Sequence, residues 1–116
     1  MRHLALAVAD QARSRRFYER HFGFVAEDAP REDGVLILHD PQGFSLALGQ
    51  VTMPIVLPPF FHFGTRLPSP EEVRAFRARV AGDDVPIVEW WDEADYVSVK
   101  LRDPDGYVVE VSWEPS

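Results

Sequence analysis

Three side chains far apart in the sequence, His3, His62 and Glu110, could together perform metal chemistry. Imidazole nitrogens and carboxylate oxygens bind divalent metals, and a set of two histidines and one carboxylate leaves coordination positions open for a substrate. The chain has no cysteine, which excludes thiolate ligands and thiol nucleophiles. These residue types predict a site for Fe²⁺, Mn²⁺, Zn²⁺, Ni²⁺ or Co²⁺, provided that the fold brings the three side chains together.

An internal repeat places the two histidines at equivalent positions. His3 begins a strand-like segment, seven residues before Asp10, a typical helix N-cap, and twenty residues before a glycine suited to end that helix. His62 stands at the same two distances from Ser69 and from a second glycine. Agreement in both spacings indicates two copies of one structural unit.

Each copy closes with an Asp-Pro-x-Gly turn and an apolar strand, at 40–48 and 103–111. Each also has room for two inner strands, so each copy reads βαβββ. The copies cover about 1–50 and 59–116, and a proline-containing linker joins them. We therefore predict one α+β domain over 1–116, in which two paired βαβββ modules form a cupped mixed sheet with helices outside. The inner strands are expected at 24–28, 34–39, 85–91 and 96–101.

Alternation along the strands assigns the three candidate ligands to one face of the sheet. In the first strand Leu6 and Val8 must cover the helix, so His3 points the other way. Aligning the two closing turns places Ala47 of the first copy at the position of Glu110 in the second. Small and polar residues therefore line the ligand face. Ala47 stands where a fourth ligand would lie, and alanine cannot bind a metal. Two such sheets facing each other would enclose a pocket.

Each candidate ligand also has an ordinary structural explanation. His3, near the chain start, could hydrogen-bond to a loop, and His62 could pack among phenylalanines. Glu110 could pair with Arg66. The repeat-equivalent positions and the shared face favour the metal site over these alternatives.

The segments HLALAVADQARSRRFYERHFGF, HFGTRL and DPDGYVVEVSW together resemble the vicinal oxygen chelate superfamily, across nearly the whole chain. That superfamily includes glyoxalases, bleomycin-resistance proteins, fosfomycin-resistance thiol transferases and extradiol dioxygenases. The resemblance implies paired βαβββ modules around a metal that binds vicinal oxygens of a small substrate. The family's ligands carry over to His3, His62 and Glu110, whereas the fourth ligand of glyoxalases falls at Ala47 and is missing.

The resemblance does not select one subfamily. Extradiol dioxygenases have a histidine and a tyrosine where Phe44 and Lys100 stand here. Fosfomycin thiol transferases are similar in a serine near Ser98, but they too have a tyrosine at the position of Lys100. A lyase, a transferase and a dioxygenase therefore all stay open.

Further residues are candidates for substrate binding at the metal. Arg66 could hold an anionic group, Lys100 is a second cation, and aromatic rings could stack a planar ligand. Adjacent tryptophans on a strand face opposite ways, so at most one of that pair looks inward. The predicted substrate-binding residues are Arg66, Trp90, Tyr96 and Lys100, with Phe60 and Trp91 as further aromatic candidates.

The overall composition narrows the class of partner. A formal charge of −7 repels nucleic acid and anionic lipid, and no apolar run is long enough to cross a membrane. With no leader pattern and no cysteine, we expect a cytoplasmic protein that acts on a small molecule. Because a module of about 50 residues buries too little apolar surface to persist alone, the two modules should pack together within the chain or across a dimer, and we expect a homodimer. The alternative is a metal-free protein of the bleomycin-resistance type, because an acidic chain with exposed tryptophan suits the sequestration of a cationic aromatic drug.

Overall fold

A computed structural model describes residues 1–28 and 31–116, and these divide into two compact units, Met1–Val56 and Leu57–Ser116. No helix within those described ranges is both long and apolar enough to span a membrane. The first unit contains β1 (His3–Val8), α1 (Gln11–Phe22), β2 (Val25–Ala26), β3 (Leu36–His39) and β4 (Ser45–Gln50). The second contains β5 (His62–Arg66), α2 (Pro70–Gly82), β6 (Ile87–Glu93), β7 (Tyr96–Arg102) and β8 (Val108–Trp113).

Each unit is built on a four-stranded mixed sheet. The strand order is β1-β4-β3-β2 in the first unit and β5-β8-β7-β6 in the second. Strand β1 runs parallel to β4, and β5 runs parallel to β8. The remaining neighbouring pairs in each sheet are antiparallel. The predicted α+β class and the two βαβββ modules are confirmed.

The inner strands all differ somewhat in extent from the prediction. Strand β3 begins at Leu36 rather than at 34, and β7 continues to Arg102 rather than ending at 101. Strand β2 contains only Val25–Ala26, because it pairs with β3 at just those two residues. Strand β6 begins at Ile87, after the expected start, and continues to Glu93. The late start of β6 follows from Pro86, because proline has no amide hydrogen to donate to a neighbouring strand. The carbonyl oxygen of Pro86 accepts a hydrogen bond from the backbone N–H of Arg102.

The helix boundaries follow from capping residues. The side chain of Asp10 accepts from the backbone N–H of Arg13, and Gly23 ends α1 in the left-handed conformation at φ 70°. Ser69 caps α2 in the same way as Asp10. The second glycine, Gly82, does not repeat the role of Gly23. It is the last residue of α2, and the helix is capped by Asp83, whose φ is −94°.

The two Asp-Pro-x-Gly turns have the same hydrogen bonds. In each, the side chain of the aspartate, Asp40 or Asp103, accepts from the backbone N–H groups two and four residues on. The glycines that complete the turns, Gly43 and Gly106, have φ of 89° and 90°, which favours glycine. These turns set the start of β4 and of β8 and therefore the register of each sheet.

Large apolar residues on one face of each sheet form the core, as the alternation predicts. In the first unit the buried residues include Leu6, Val8, Leu46 and Leu48, while His3 is exposed. In the second unit α2 packs on β7 and β8. The buried residues there include Val73, Val80, Val97, Val99, Leu101, Val109 and Val111.

Candidate metal centre

The strand register of the second sheet brings the predicted residues of this unit onto one face. Gly64 pairs with Glu110, Glu110 pairs with Lys100, and Lys100 pairs with Glu89. Residues paired directly across strands point to the same face of a sheet, and so do residues two positions along a strand. His62, two positions from Gly64, therefore shares the face of Glu110.

The two units match in register as well as in sequence. In the first sheet Ala5 pairs with Ala47, and Ala5 lies two residues after His3. In the second sheet the partner of Glu110 lies two residues after His62. The hydrogen-bonded ladders thus make His3 equivalent to His62 and Ala47 equivalent to Glu110, the equivalence that the turns predict.

His62 and Glu110 are in direct contact. The Nε2 atom of His62 lies 3.4 Å from Oε1 of Glu110, and the two side chains are 24% and 16% exposed. The Nδ1 atom of His62 is 2.8 Å from the carbonyl oxygen of Phe60, a distance at which Nδ1–H donates to that oxygen. In the neutral imidazole this donor role leaves the Nε2 lone pair directed towards the Glu110 side.

The backbone at Phe60 is unusual and supports this arrangement. Phe60 has a φ of 70°, in the left-handed region that non-glycine residues rarely adopt. Such a conformation costs on the order of 1–3 kcal/mol and persists where surrounding contacts compensate for it. Here the carbonyl of Phe60 accepts from His62, and its ring meets the imidazole edge to face at 5.0 Å.

The second carboxylate oxygen of Glu110 is fully occupied by protein donors. Ser98 Oγ donates to Oε2 at 2.5 Å, and the Tyr96 hydroxyl donates to the same atom. Burial alone would raise the pKa of Glu110, but these two hydrogen bonds and the nearby Lys100 and His62 outweigh burial and lower the pKa. Burial and the bond to Glu110 raise the pKa of Tyr96, so its hydroxyl stays a donor.

Lys100 lies on the same face in a second hydrogen-bonded group. Its Nζ donates to Oε1 of Glu89 at 3.0 Å, and the indole N–H of Trp91 donates to that oxygen at 2.8 Å. The bond to Glu89 raises the pKa of Lys100, and the bonds from Lys100 and Trp91 lower the pKa of Glu89. Lys100 is therefore a fixed positive charge beside Glu110.

The other predicted substrate-binding residues have different surroundings. Trp90 lies on the opposite face of β6, where the guanidinium carbon of Arg77 in α2 is 4.6 Å from the ring centroid. The structure therefore does not bring Trp90 to the Glu110 face, and its neighbour Trp91 lies there instead. Arg66 is on the Glu110 face, but it is exposed and paired with Glu114 rather than with Glu110.

A hollow of about 460 Å³ opens over this face, and its lining includes His62, Arg66, Tyr96 and Glu110. The remaining predicted ligand, His3, belongs to the first unit, where its Nδ1 lies 3.4 Å from Ser45 Oγ. Over residues 1–28 and 31–116, no three or more His, Asp or Glu side chains form a group that could hold a metal ion. The contact between His62 and Glu110 is thus the part of the predicted ligand set that the second unit contains.

Sequence reasoning missed how Glu110 is held. Tyr96 is expected as a stacking ring, yet its hydroxyl contacts Glu110, and Ser98 is singled out only through a family resemblance. The alternation of β7 contained the signal. Lys100 pairs with Glu110, and Tyr96 and Ser98 lie four and two residues before Lys100, so both point to the face of Glu110.

Several solved structures are similar to this chain in fold. A possible glyoxalase from Bacillus cereus matches with a TM-score of 0.81 and 28% identity, over 96% of each chain. A glyoxylase/bleomycin resistance protein/dioxygenase domain from Frankia sp. EAN1pec matches with 0.83 and 18% identity, over 99% of this chain and 97% of that one. The fosfomycin resistance protein FosX from Listeria monocytogenes matches with 0.84 and 15% identity, over 99% and 91%. At such low identity the last two show the fold alone.

The sequence itself identifies the family. Residues 1–111 match the model of the Glyoxalase/Bleomycin resistance protein/Dioxygenase superfamily. The chain therefore belongs to that superfamily, which confirms the resemblance found in its sequence motifs. No curated protein matches the sequence.

Proposed function

We propose that this protein is a metal-dependent enzyme of its superfamily, with His62, Glu110 and His3 as the ligands of one divalent ion. Its substrate is a small molecule that binds the ion through two neighbouring oxygens. The observation that carries the proposal is the contact between His62 Nε2 and Glu110 Oε1 at 3.4 Å. The reaction is a lyase, transferase or dioxygenase reaction, and all three use the same kind of site.

The chemistry of this contact fits a cation. With Nδ1 donating to the Phe60 carbonyl, a neutral His62 presents a lone pair to a carboxylate oxygen, and two acceptors repel each other unless a cation or proton lies between them. Two ligand atoms that share one ion at about 2.0–2.2 Å lie roughly 2.8–3.6 Å apart at bond angles of about 90–109°. The separation of 3.4 Å falls within that range.

The surroundings of the pair supply the remaining functions. When bound, the ion polarises the substrate's oxygens and stabilises negative charge that develops on them. Lys100 carries a fixed positive charge on the same face and is held by Glu89, so it suits a negatively charged part of the substrate. Trp91, which is 48% exposed, offers a ring for an apolar or planar part.

A second candidate function, sequestration of a cationic aromatic drug without a metal, is supported by a different observation. Trp91 is exposed on the Glu110 face, and its indole N–H bonds to the carboxylate of Glu89. An exposed ring beside a carboxylate suits a planar cation. This function makes no use of the contact between His62 and Glu110, and for that reason we rank it second.

Metal titration of tag-free protein separates the two functions. We expect apo-protein to bind one equivalent of Mn²⁺, Zn²⁺, Ni²⁺ or Co²⁺ by calorimetry, and His62→Ala, Glu110→Gln and His3→Ala to abolish that binding. The matched control is His39→Ala, because His39 also contacts a glutamate, Glu27, at 2.7 Å but in an exposed pair of the first unit. Such a control excludes a general loss of histidine–carboxylate contacts as the cause.

Two results would contradict the proposal of a metal-dependent enzyme. One is a wild-type protein that binds none of the four ions, and the other is metal binding that survives in both Glu110→Gln and His62→Ala. Quenching of tryptophan fluorescence by a planar cationic drug in metal-free wild type, lost in Trp91→Phe, would then support sequestration. We also propose that the protein is a cytoplasmic homodimer, and light scattering at micromolar concentration tests the dimer.

A further inference from the structure

We infer that Tyr96 and Ser98 are positioning residues that restrict Glu110 to a single coordinating oxygen, Oε1. The inference rests on the proposed metal site and adds two residues to it. It predicts that these hydroxyl groups set the affinity and the coordination number of the ion without touching it.

The hydrogen bonds divide the carboxylate of Glu110 into two different halves. Both hydroxyl groups donate to Oε2, Ser98 at 2.5 Å, whereas Oε1 faces Nε2 of His62. An oxygen that accepts two hydroxyl donors has both lone-pair directions in use. Only Oε1 is then available to a cation, and the carboxylate plane is fixed by two bonds to a neighbouring strand.

The sheet makes this support rigid. Tyr96 and Ser98 both lie on β7, which pairs directly with β8 on either side of Glu110. Val97 and Val99, which alternate with them on β7, are fully buried against the core. The two hydroxyl groups are therefore carried by a strand whose other face cannot shift easily, unlike donors on a loop.

The first copy of the repeat lacks both the carboxylate and its donors. Ala47 stands at the position of Glu110, and the residue paired with it is Ile37, where the second copy has Lys100. Two residues before Ile37 the chain has Val35, at the position of Ser98. Polar donors on the third strand thus occur in the copy that carries the carboxylate, as expected if they serve it.

Calorimetric titration of apo-protein with Co²⁺ tests the inference, with the visible spectrum of the bound ion as a second readout. We expect Tyr96→Phe and Ser98→Ala each to weaken Co²⁺ binding by about 10- to 100-fold, the range for lost partners of a metal ligand. We expect weaker visible bands in the double variant, because a freed Oε2 can bind the ion and raise its coordination number. Ser98→Thr keeps the hydroxyl and should restore wild-type affinity.

Ser112→Ala is the matched control for Ser98→Ala. Ser112 pairs with Ser98 and lies on β8 two residues from Glu110, so the same hydroxyl is removed from the same face. We expect its Co²⁺ affinity and spectrum to equal those of wild type. Thermal unfolding of each apo-variant shows whether the fold is intact, and the spectrum is compared at saturating Co²⁺, where a fold defect alone does not change the coordination number.

The outcomes separate this inference from the proposed function. If wild type binds Co²⁺ while Tyr96→Phe and Ser98→Ala match it in affinity and spectrum, the inference is wrong and the metal site stands. The inference is also wrong if Ser112→Ala weakens binding as much as Ser98→Ala does. If wild type binds no Co²⁺, the proposed function fails and the inference fails with it.

Discussion

Replacing Gly64 by alanine should displace the strand that carries Glu110. A Cβ atom at Gly64 would lie 2.0 Å from the carbonyl oxygen of Glu110 and 2.8 Å from its carbonyl carbon. Ordinary van der Waals contact begins at about 3.4 Å, so β5 and β8 would have to separate by more than 1 Å at this point. Both atoms are backbone, and no side-chain rotation can relieve the overlap.

The displacement has a cost in stability and a cost in binding. Forcing an extra carbon into a packed position typically costs about 1–3 kcal/mol, which urea unfolding of wild type and Gly64→Ala would measure. Because the carbonyl belongs to Glu110 itself, we also expect Co²⁺ affinity to fall by about 10- to 100-fold, the range for disturbing the support of a ligand. Gly49→Ala is the control, since a Cβ there meets only the carbonyl oxygen of Leu6, at 4.0 Å.

One result would refute this reasoning. If Gly64→Ala unfolds at the same urea concentration as Gly49→Ala and binds Co²⁺ like wild type, the close approach of Gly64 to Glu110 does not exist in solution. A loss of stability with unchanged Co²⁺ affinity would instead show that β8 relaxes without moving the carboxylate, and the link between this strand pair and the metal ligand would be wrong.

Three other measurements test individual contacts. The hydrogen bond from Arg74 lowers the pKa of Asp92 in the folded protein. Ionised Asp92 therefore stabilises the fold above its ordinary pKa of about 3.9, and this contribution is lost as the pH falls through the lower pKa of the folded state. Wild type should be more stable in urea than Asp92→Asn at pH 7 but not at pH 2. Asp103→Ala should destabilise the fold by about 1–3 kcal/mol in urea unfolding, because two backbone N–H groups lose their acceptor at a buried turn, and Asp40→Ala should cost less at its more exposed turn; equal losses would contradict this. Trp91→Phe should remove most of the fluorescence that iodide quenches, since the other two tryptophans are less exposed; undiminished quenching would place Trp91 in a buried position.

Most of the fold follows from local rules that the sequence displays openly. The caps Asp10 and Ser69 and the two Asp-Pro-x-Gly turns each act through their own backbone neighbours, so their spacing alone fixes the repeat. The end of α2 is different, because a glycine permits a left-handed cap without requiring one. There the left-handed residue is Asp84, at φ 60°.

The candidate site was only partly predictable, for a physical reason. Alternation along one strand shows which of its residues share a face. It does not show which of those two sets lies on the same face of the sheet as a given residue of the neighbouring strand. Trp90 and Trp91 show the difficulty, because only the register of β6 against β7, with its shift between Ile87 and Glu89, decides which ring faces Glu110. Register depends on long-range pairing, which a single sequence does not state.

The divergence of the two copies then indicates which part of the repeat serves chemistry. Their Asp-Pro-x-Gly turns and helix N-caps are alike, whereas they differ at the position of Glu110, where the first copy has Ala47. A carboxylate that is 16% exposed requires donors or a cation, because burying it without either is costly. Tyr96 and Ser98 satisfy one of its oxygens, and the other faces His62. Oε1, the oxygen without a hydroxyl donor, therefore faces the lone pair on Nε2 of His62. A cation bound between these two atoms would satisfy both of them.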